Sequence, residues 1–404
     1  MRSPFLYDTL RRFCLGAFAL FHQDLDGGAD LPFAFEEHGS YGRPTLYEYR
    51  PLVRGFVEAR AERLFQRDDV RAAVADLQRE PAARIFARAH EGPGGDEARA
   101  LYRSVLVPLL VRTAEGCGGF DWDDAAFDRA YTELEGSLFG DGHAYGAVAP
   151  LVGVSTGGVI ELGDGIRVRA AVAGELAAMW PESAGLLPRA FGSEPDRLCV
   201  IELQRALAPG ADEAPDAPGE LADAVTALRL ATAAPVAAGP VLFERLDWRP
   251  YGIRPVLPIA ATAPPGEPTR LDPFRATVVT QLRPELARAD DDPQLGDALD
   301  RWELALFQTE PFRGEQLRHA LDSALGGGDG VWAAAMRGAA LLGDTPEERA
   351  DLAERFQEPT LDLTRRLLVE LLLHGDRRRL LRELDEALLA LRPRPARVAE
   401  LRAS

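Results

Sequence analysis

The sequence predicts a mainly α-helical protein with an α+β middle section and a C-terminal antiparallel helical bundle. Three observations lead to this prediction. Apolar residues recur at helical spacing over residues 1–143, short β-prone runs separated by glycines occupy residues 144–270, and closely spaced amphipathic segments fill residues 290–404. Because 404 residues is too long for one simple core, we interpret the three ranges as domains.

The N-terminal range is predicted to be helical. The opening "FLYDTLRRFCLGAFALF" is apolar but interrupted by charges, which indicates an amphipathic core helix and neither a signal peptide nor a membrane span. Helical spacing continues over Thr45–Gln66 and Ala98–Gly116. "DWDDAAFDRAYTELEGSLFG" starts with acids that suit a helix N-terminus, and Gly140 lies at its natural stop.

The middle range contains runs typical of strands: "AVAPLVGV", "GVIEL", "IRVRAAV", "RLCVIEL" and "PVLFERL". The residues Gly163-Asp164-Gly165 separate two of these runs as a hairpin turn would. Helices are expected at Glu175–Trp180 and Glu220–Ala231, and the proline-rich segment Pro258–Arg270 is typical of a linker or an irregular strand edge.

The last range is predicted to be a bundle, because short connections favour antiparallel packing of neighbouring helices. In "GDTPEER", Thr345 caps a helix that begins at Pro346, and Glu348 completes a capping box. The predicted helices are Asp297–Phe307, Gly314–Leu325, Val331–Leu342, Thr345–Phe356, Leu361–His374 and Asp376–Leu391.

The composition excludes several classes of enzyme. The chain has no lysine, so all 46 basic residues are arginine, and P-loop ATPases, protein kinases and lysine Schiff-base enzymes are ruled out. The net charge of −18 should repel nucleic acid and anionic membranes. Any RNA contact would need a local basic patch, and residues 361–404 carry ten arginines against seven acids.

The three cysteines are far apart and match no zinc or disulfide spacing. We therefore predict no metal and no cofactor, and we expect a reducing cytoplasm as the location of the protein.

One segment of the C-terminal range resembles a known family. "MRGAALLGDTPEERADLAERFQEPTLDLTRRLLVELLLHG" (Met336–Gly375) is similar to the end of an Apea-type HEPN domain of bacterial defence proteins. In that family an "R-A-LL-G…EER" segment precedes a helix that reads approximately "Y-x-x-R-S-x-x-V-H-G". The resemblance covers about residues 290–392. The hairpin "PLVGVSTGGVIELGDGIRVR" also resembles a β-rich segment found upstream of such domains.

The resemblance implies a metal-independent ribonuclease ancestry, with an R-x(4–6)-H motif that dimerisation brings together in pairs. In such a motif, histidine moves a proton and arginine stabilises charge on the phosphate. Here His374 and Gly375 match the family's His-Gly, and Glu370 matches the polar residue that follows its arginine. Val369, however, stands in place of the arginine.

Two arginines could in principle replace the missing one. Arg366 lies two helical turns before His374, about 12 Å along the axis. Arg378 could approach His374 only if the helix continued through Gly375, although Arg377 to Arg379 could otherwise reach the cleft of a partner subunit. The same helix also has a non-catalytic interpretation, an exposed stripe of ion pairs at i,i+4 spacing formed by Asp362, Arg366, Glu370 and His374.

Two further motifs have simpler explanations. Arg313 and His319 match R-x(5)-H, a spacing that arginine-rich helices produce by chance. "GVSTG" (Gly153–Gly157) fits the nucleophile elbow of serine hydrolases with Ser155 as nucleophile. That elbow needs a following helix, whereas a second β-prone run, Val159–Leu162, follows here.

The sequence thus favours a bacterial defence or stress-response protein whose degenerate HEPN-like domain binds protein or RNA within an assembly. The alternatives are a HEPN endoribonuclease that uses His374, with Glu370 and Arg378, and a serine hydrolase that uses Ser155. Expected partners are a second copy of the chain or a larger protein assembly, and RNA at the basic C-terminal segment. No membrane association is expected.

Overall fold

The fold is taken from a computed structural model of the chain. It describes residues 4–38, 46–80, 96–139, 143–172, 174–180, 198–207, 215–239, 241–247, 249–255 and 267–398, together with a few single residues between these ranges. Gly140 and most of the predicted linker Pro258–Arg270 lie outside the described residues.

The N-terminal range is mainly helical, as predicted, and its buried side chains form a hydrophobic core of their own. A π-helical turn, Tyr102–Leu106, joins two of the helices just before Pro108. The helices are α1 (Pro4–Asp26), α2 (Val53–Glu58), α3 (Ala61–Phe65), α4 (Asp68–Arg79), α5 (Glu97–Leu101), α6 (Val107–Cys117) and α7 (Asp124–Phe139).

One prediction in this range is wrong. The segment Thr45–Gln66 is not a continuous helix, because Leu46–Pro51 forms strand β2, which pairs antiparallel with β1 (Phe33–His38). Helix α2 begins only at Val53, after the proline. Pro51 disfavours a helical conformation at the residue before it, and pairing with the preceding strand β1 overrides the local helical pattern.

The middle range forms a seven-stranded antiparallel sheet with the order β10-β9-β3-β7-β6-β5, and β8 pairs with β3. A separate short pair joins β4 to β11. The strands are β3 (His143–Val152), β4 (Val154–Ser155), β5 (Ile160–Glu161), β6 (Ile166–Ala170), β7 (Leu198–Leu207), β8 (Ala237–Ala238), β9 (Val241–Leu246), β10 (Arg249–Pro255) and β11 (Thr269–Arg270).

The predicted turn at Gly163-Asp164-Gly165 is confirmed. All three residues have positive φ, at 83°, 46° and 69°, a backbone conformation that glycine adopts without strain. Two helices of this range follow the predicted positions closely: α8 (Glu175–Met179) and α9 (Ala217–Thr232).

The two faces of the sheet differ in character because side chains alternate along each strand. The inner face carries apolar residues such as Ala149, Ile201 and Leu203, which pack into the core with α9 and α10 (Pro273–Ala289). The sequence pattern did not predict α10. The outer face carries Arg167, Glu202 and other polar residues.

The C-terminal range is a helical bundle. Helices α13 and α15 have the predicted bounds, and Thr345 and Glu348 form the predicted capping box at the start of α14. The buried side chains of the bundle and of the inner sheet face form one continuous cluster. The helices are α11 (Pro293–Phe307), α12 (Phe312–Leu321), α13 (Val331–Leu342), α14 (Pro346–Arg355), α15 (Leu361–His374) and α16 (Arg377–Leu388).

Candidate functional site

The His-Gly pair at the end of α15 ends the helix. Gly375 has φ 75° and donates its backbone N–H to the carbonyls of Leu371 and Leu372, as expected for a left-handed C-cap. Asp376 then caps α16 by accepting the backbone N–H of Arg379. The helix therefore does not continue through Gly375.

Glu370 and His374 lie one helical turn apart beneath the C-terminal segment. The His374 Nε2 atom is 3.8 Å from Glu370 Oε1, and Glu370 is only 1% exposed. The backbone N–H of Val398 donates to the same carboxylate. Burial lowers the pKa of His374, which Glu370 partly offsets. The imidazole is therefore mostly covered and is held neutral near neutral pH.

The prediction of one exposed stripe of ion pairs is wrong for half of its members. Asp362 and Arg366 are exposed, but Glu370 is buried and His374 is mostly covered. Asp362 pairs with Arg365 at 2.6 Å and not with Arg366. The C-terminal segment, which crosses the helix, covers the end of the stripe, and the local spacing could not reveal this contact.

Among the described residues, no arginine compensates for the valine at position 369. Val369 packs against the bundle core, and Arg366 and Arg378 are exposed, with no ion pair among the described residues. Arg377 cannot reach a partner subunit's cleft as predicted, because it is buried in its own chain. Its Nε donates to Asp292 at 2.8 Å, and its Nη1 donates to the carbonyl of Ala324 at 3.1 Å.

The two other motifs also lack catalytic geometry. Arg313 donates to the carbonyl of Ala305, while His319 is exposed and lies 4.0 Å from Glu315. Ser155 lies on the two-residue strand β4, and the next element is β5, so a strand follows the serine where a nucleophile elbow has a helix.

Two cavities among the described residues, neither indicated by the sequence motifs, lie on opposite faces of the large sheet. The first, here called the outer cleft, lies on the outer face of the sheet and is lined by Arg112, Arg167, Arg169, Arg245 and Trp180. It has a volume of about 300 Å³ and adjoins a second space of about 470 Å³ beside α2, α6 and α7.

The second, here called the inner cavity, has a volume of about 280 Å³ and lies between the inner face of the sheet and helices α9, α10 and α11. Its polar residues include Asp223, Arg229, Asp300 and Glu303. Arg229 Nη1 lies 2.5 Å from Glu303 Oε2, and both residues are almost fully buried. Burial raises the pKa of Glu303, and Arg229 opposes this shift.

Neither a metal centre nor a membrane-spanning helix is found in the part of the chain that the structure describes. No three histidine, cysteine, aspartate or glutamate side chains there are grouped to hold a metal ion. No helix there combines the length and the apolar character needed to cross a membrane.

Comparison with models of protein families, with curated proteins and with solved structures finds no match to this chain.

Proposed function

We propose that the chain is a non-catalytic, cytoplasmic binding protein of a bacterial defence or stress response, whose HEPN-like C-terminal bundle holds a partner within an assembly. The defence role depends on the resemblance of Met336–Gly375 to HEPN domains. The non-catalytic role is supported mainly by the position of His374, which is mostly covered, is neutral and has no arginine beside it among the described residues.

Ribonuclease chemistry of the HEPN kind needs an imidazole that reaches the RNA 2′-hydroxyl and an arginine that reaches the phosphate. His374 is turned toward a buried glutamate, and the C-terminal segment covers both residues. Arg378 lies beyond the helix end at Gly375, on the exposed side of α16. This arrangement supports binding over cleavage.

Exposed apolar side chains at the end of α16 support a protein partner. Leu389 and Leu391 are each 70% exposed, and Leu388 is 41% exposed. Such clusters commonly mark contact surfaces. Arg378 and Arg382, one turn apart and exposed on α16, would be the RNA contact, but a net charge of −18 favours a protein partner, either a second copy or another subunit.

The catalytic alternative is tested by incubating the purified chain with labelled single-stranded RNA in EDTA. We expect no cleavage by the wild type, by His374→Ala or by the control His319→Ala, which changes an exposed histidine. Cleavage that is lost in His374→Ala but kept in His319→Ala would overturn the proposal. Labelling of Ser155 by a fluorophosphonate would instead favour the hydrolase alternative.

The binding role is tested by sedimentation velocity of the wild type and of Leu389→Arg. We expect the wild type to self-associate and the variant to remain monomeric, because a charge in an apolar contact is costly. Phe274→Arg, at another exposed apolar residue (77% exposed), should associate like the wild type. If the wild type stays monomeric and its sedimentation coefficient increases only when RNA is added, the partner is RNA and not a protein.

A further inference from the structure

The strand register explains how arginines come to line the outer cleft. In β6, "IRVRA", Ile166 and Val168 point to the core, whereas Arg167 and Arg169 lie on the opposite face. In the antiparallel pairing, Arg167 stands opposite Glu202, so both side chains share the outer face.

The missing side chain at Gly146 leaves room for the side chain of Arg245. The two residues are directly opposite each other on β3 and β9, and a Cβ atom at position 146 would lie 2.7 Å from Nε of Arg245. The arginine side chain therefore lies across the strand where any other residue would displace it. Its Nη1 donates to the carbonyl of Asp247 at 3.1 Å.

Most of the positive charge in the outer cleft is already matched by acids. Arg112 Nε lies 2.8 Å from Glu133, Arg169 Nη1 lies 2.8 Å from Glu175, and Arg167 pairs with Glu202.

Arg245 differs from these three, because it forms no salt bridge with any described residue. Burial lowers its pKa, the nearby acids Glu202 and Asp247 oppose this shift, and Arg112 and Arg167 add to it. Since arginine does not lose its proton in proteins, a partly buried arginine of this kind needs a negative partner.

Two nearly buried donors without a hydrogen-bond partner line the two adjoining spaces, Trp180 the outer cleft and Arg54 the space beside α2, α6 and α7. Arg54, which is 4% exposed, contacts Glu58 only through Nη1 at 3.4 Å, and its Nε has no partner within the described chain. Trp180, which is 5% exposed, packs its ring against Phe243 and leaves its indole N–H equally unmatched. Buried donors in native proteins nearly always have an acceptor.

These donors come from separate elements, α2, β9 and the residue after α8, and they line spaces that adjoin at Arg112, Met179 and Arg245. A ligand with oxygens in several directions would match them better than a single planar carboxylate. Phosphate has this geometry, and arginine forks recognise it well.

We propose that the outer cleft binds a small phosphorylated ligand, with Arg245 as its main ionic contact and the N–H groups of Arg54 and Trp180 as further donors. The cleft of about 300 Å³ is twice the ~150 Å³ that holds benzene, so it can take more than one phosphate group. This inference concerns a different part of the chain from the C-terminal bundle and does not depend on the proposed function.

The test is isothermal titration of the full chain with sodium pyrophosphate, ATP and adenosine, in EDTA and at low ionic strength. We expect saturable binding of pyrophosphate and ATP but not of adenosine, and Arg245→Gln should weaken it by about tenfold or more. The control is Arg205→Gln, since Arg205 lies on strand β7 of the same sheet, pairs with Glu220 and does not line the cleft. Tighter binding of ATP than of pyrophosphate would identify the ligand as a nucleotide, and equal affinity would identify the phosphate groups alone.

A second variant and a stability measurement separate ligand binding from a structural role. Trp180→Phe removes the indole donor, keeps an aromatic ring against Phe243 and should weaken pyrophosphate binding severalfold. Without ligand, Arg245→Gln should melt at the wild-type temperature or above it, because it removes an unpaired cation. The inference fails if neither pyrophosphate nor ATP binds, if adenosine binds as well as ATP, or if the Arg245 and Arg205 variants bind alike.

Discussion

The inner cavity and the outer cleft lie on opposite faces of one sheet, and they differ in whether their buried arginine has an acidic partner. In the inner cavity the buried arginine, Arg229, has its own acid, Glu303, at 2.5 Å. In the outer cleft Arg245 has no salt bridge with any described residue. In the inner cavity the buried arginine is therefore neutralised by an acid of the same chain. In the outer cleft Arg245 remains available to an external anion.

The chemistry of the unmatched groups strengthens the contrast. The surplus acids of the inner cavity can take up a proton, and burial raises the pKa of Asp223 to about 6 and also raises that of Asp300. Arg245 cannot lose its proton at such pH values. The inner cavity can therefore be neutralised by protonation, and the outer cleft only by a bound anion. For this reason we assign the ligand site to the outer cleft.

The largest predicted effect comes from breaking the inner ion pair. Arg229→Met leaves Glu303 buried without its partner and should lower the free energy of unfolding by about 3–5 kcal/mol, measured by urea denaturation. The double variant Arg229→Met/Glu303→Leu should recover most of this loss, since it removes both charges.

The matched control for that pair is Arg379→Met. It breaks an exposed i,i+4 contact of 2.8 Å with Glu383 and should leave the free energy of unfolding essentially unchanged, because solvent screens an exposed pair. Equal losses in the two single variants would mean that the Arg229–Glu303 pair behaves as a surface pair, and the contrast between the cavities would then be wrong.

A smaller effect is expected from Gly146→Ala in the outer cleft. The added methyl group would lie 2.7 Å from Nε of Arg245 and must displace that side chain. We expect a loss of about 1–2 kcal/mol in the free energy of unfolding, together with weaker pyrophosphate binding. Gly158→Ala, where a Cβ meets no atom within 4 Å, should change neither quantity. Unchanged binding in Gly146→Ala would show that the position of Arg245 does not matter.

The sequence predicts well those elements whose ends are set by capping residues and turns next to them in the chain. The bounds of Leu361–His374 agree because Thr360 caps one end and Gly375 ends the other. The strand Leu46–Pro51 is not predicted because its conformation depends on pairing with Phe33–His38, which the helical spacing within its own segment does not reveal. Similarly, α10 was missed because Pro284 interrupts its helical pattern.

The candidate sites likewise divide into features set by neighbouring residues, which the sequence reveals, and contacts between distant residues, which it does not. Sequence reasoning identified His374 and the absence of an arginine at Val369, but not the C-terminal segment that covers Glu370 through Val398. The outer cleft is assembled from residues far apart in the chain. Its one local signal was the alternation in "IRVRA", which places two arginines on the face of a sheet opposite its apolar residues.

The smallest predicted effect is the part of the pH dependence of stability that Asp223 of the inner cavity contributes. Burial, and then repulsion from Asp290, raise the pKa of Asp223 from 3.8 to about 6. Between these values the folded state binds more protons than the unfolded state, so the free energy of unfolding should fall as the pH rises from about 4 to about 6. Because Asp223 is only partly buried, we expect Asp223→Asn to remove about 1 kcal/mol of this decline. A residual slope should remain from other carboxylates whose pKa burial raises, namely Asp300, Glu115 and Glu175. Urea denaturation across this range measures the decline, and Asp351→Asn, at an exposed aspartate, should keep the pH dependence of the wild type.

Arg245→Gln should shift stability equally at every pH in the range, since arginine does not titrate there. If the pH dependence of the unfolding free energy changes in Arg245→Gln but not in Asp223→Asn, the titrating charge does not belong to the inner cavity.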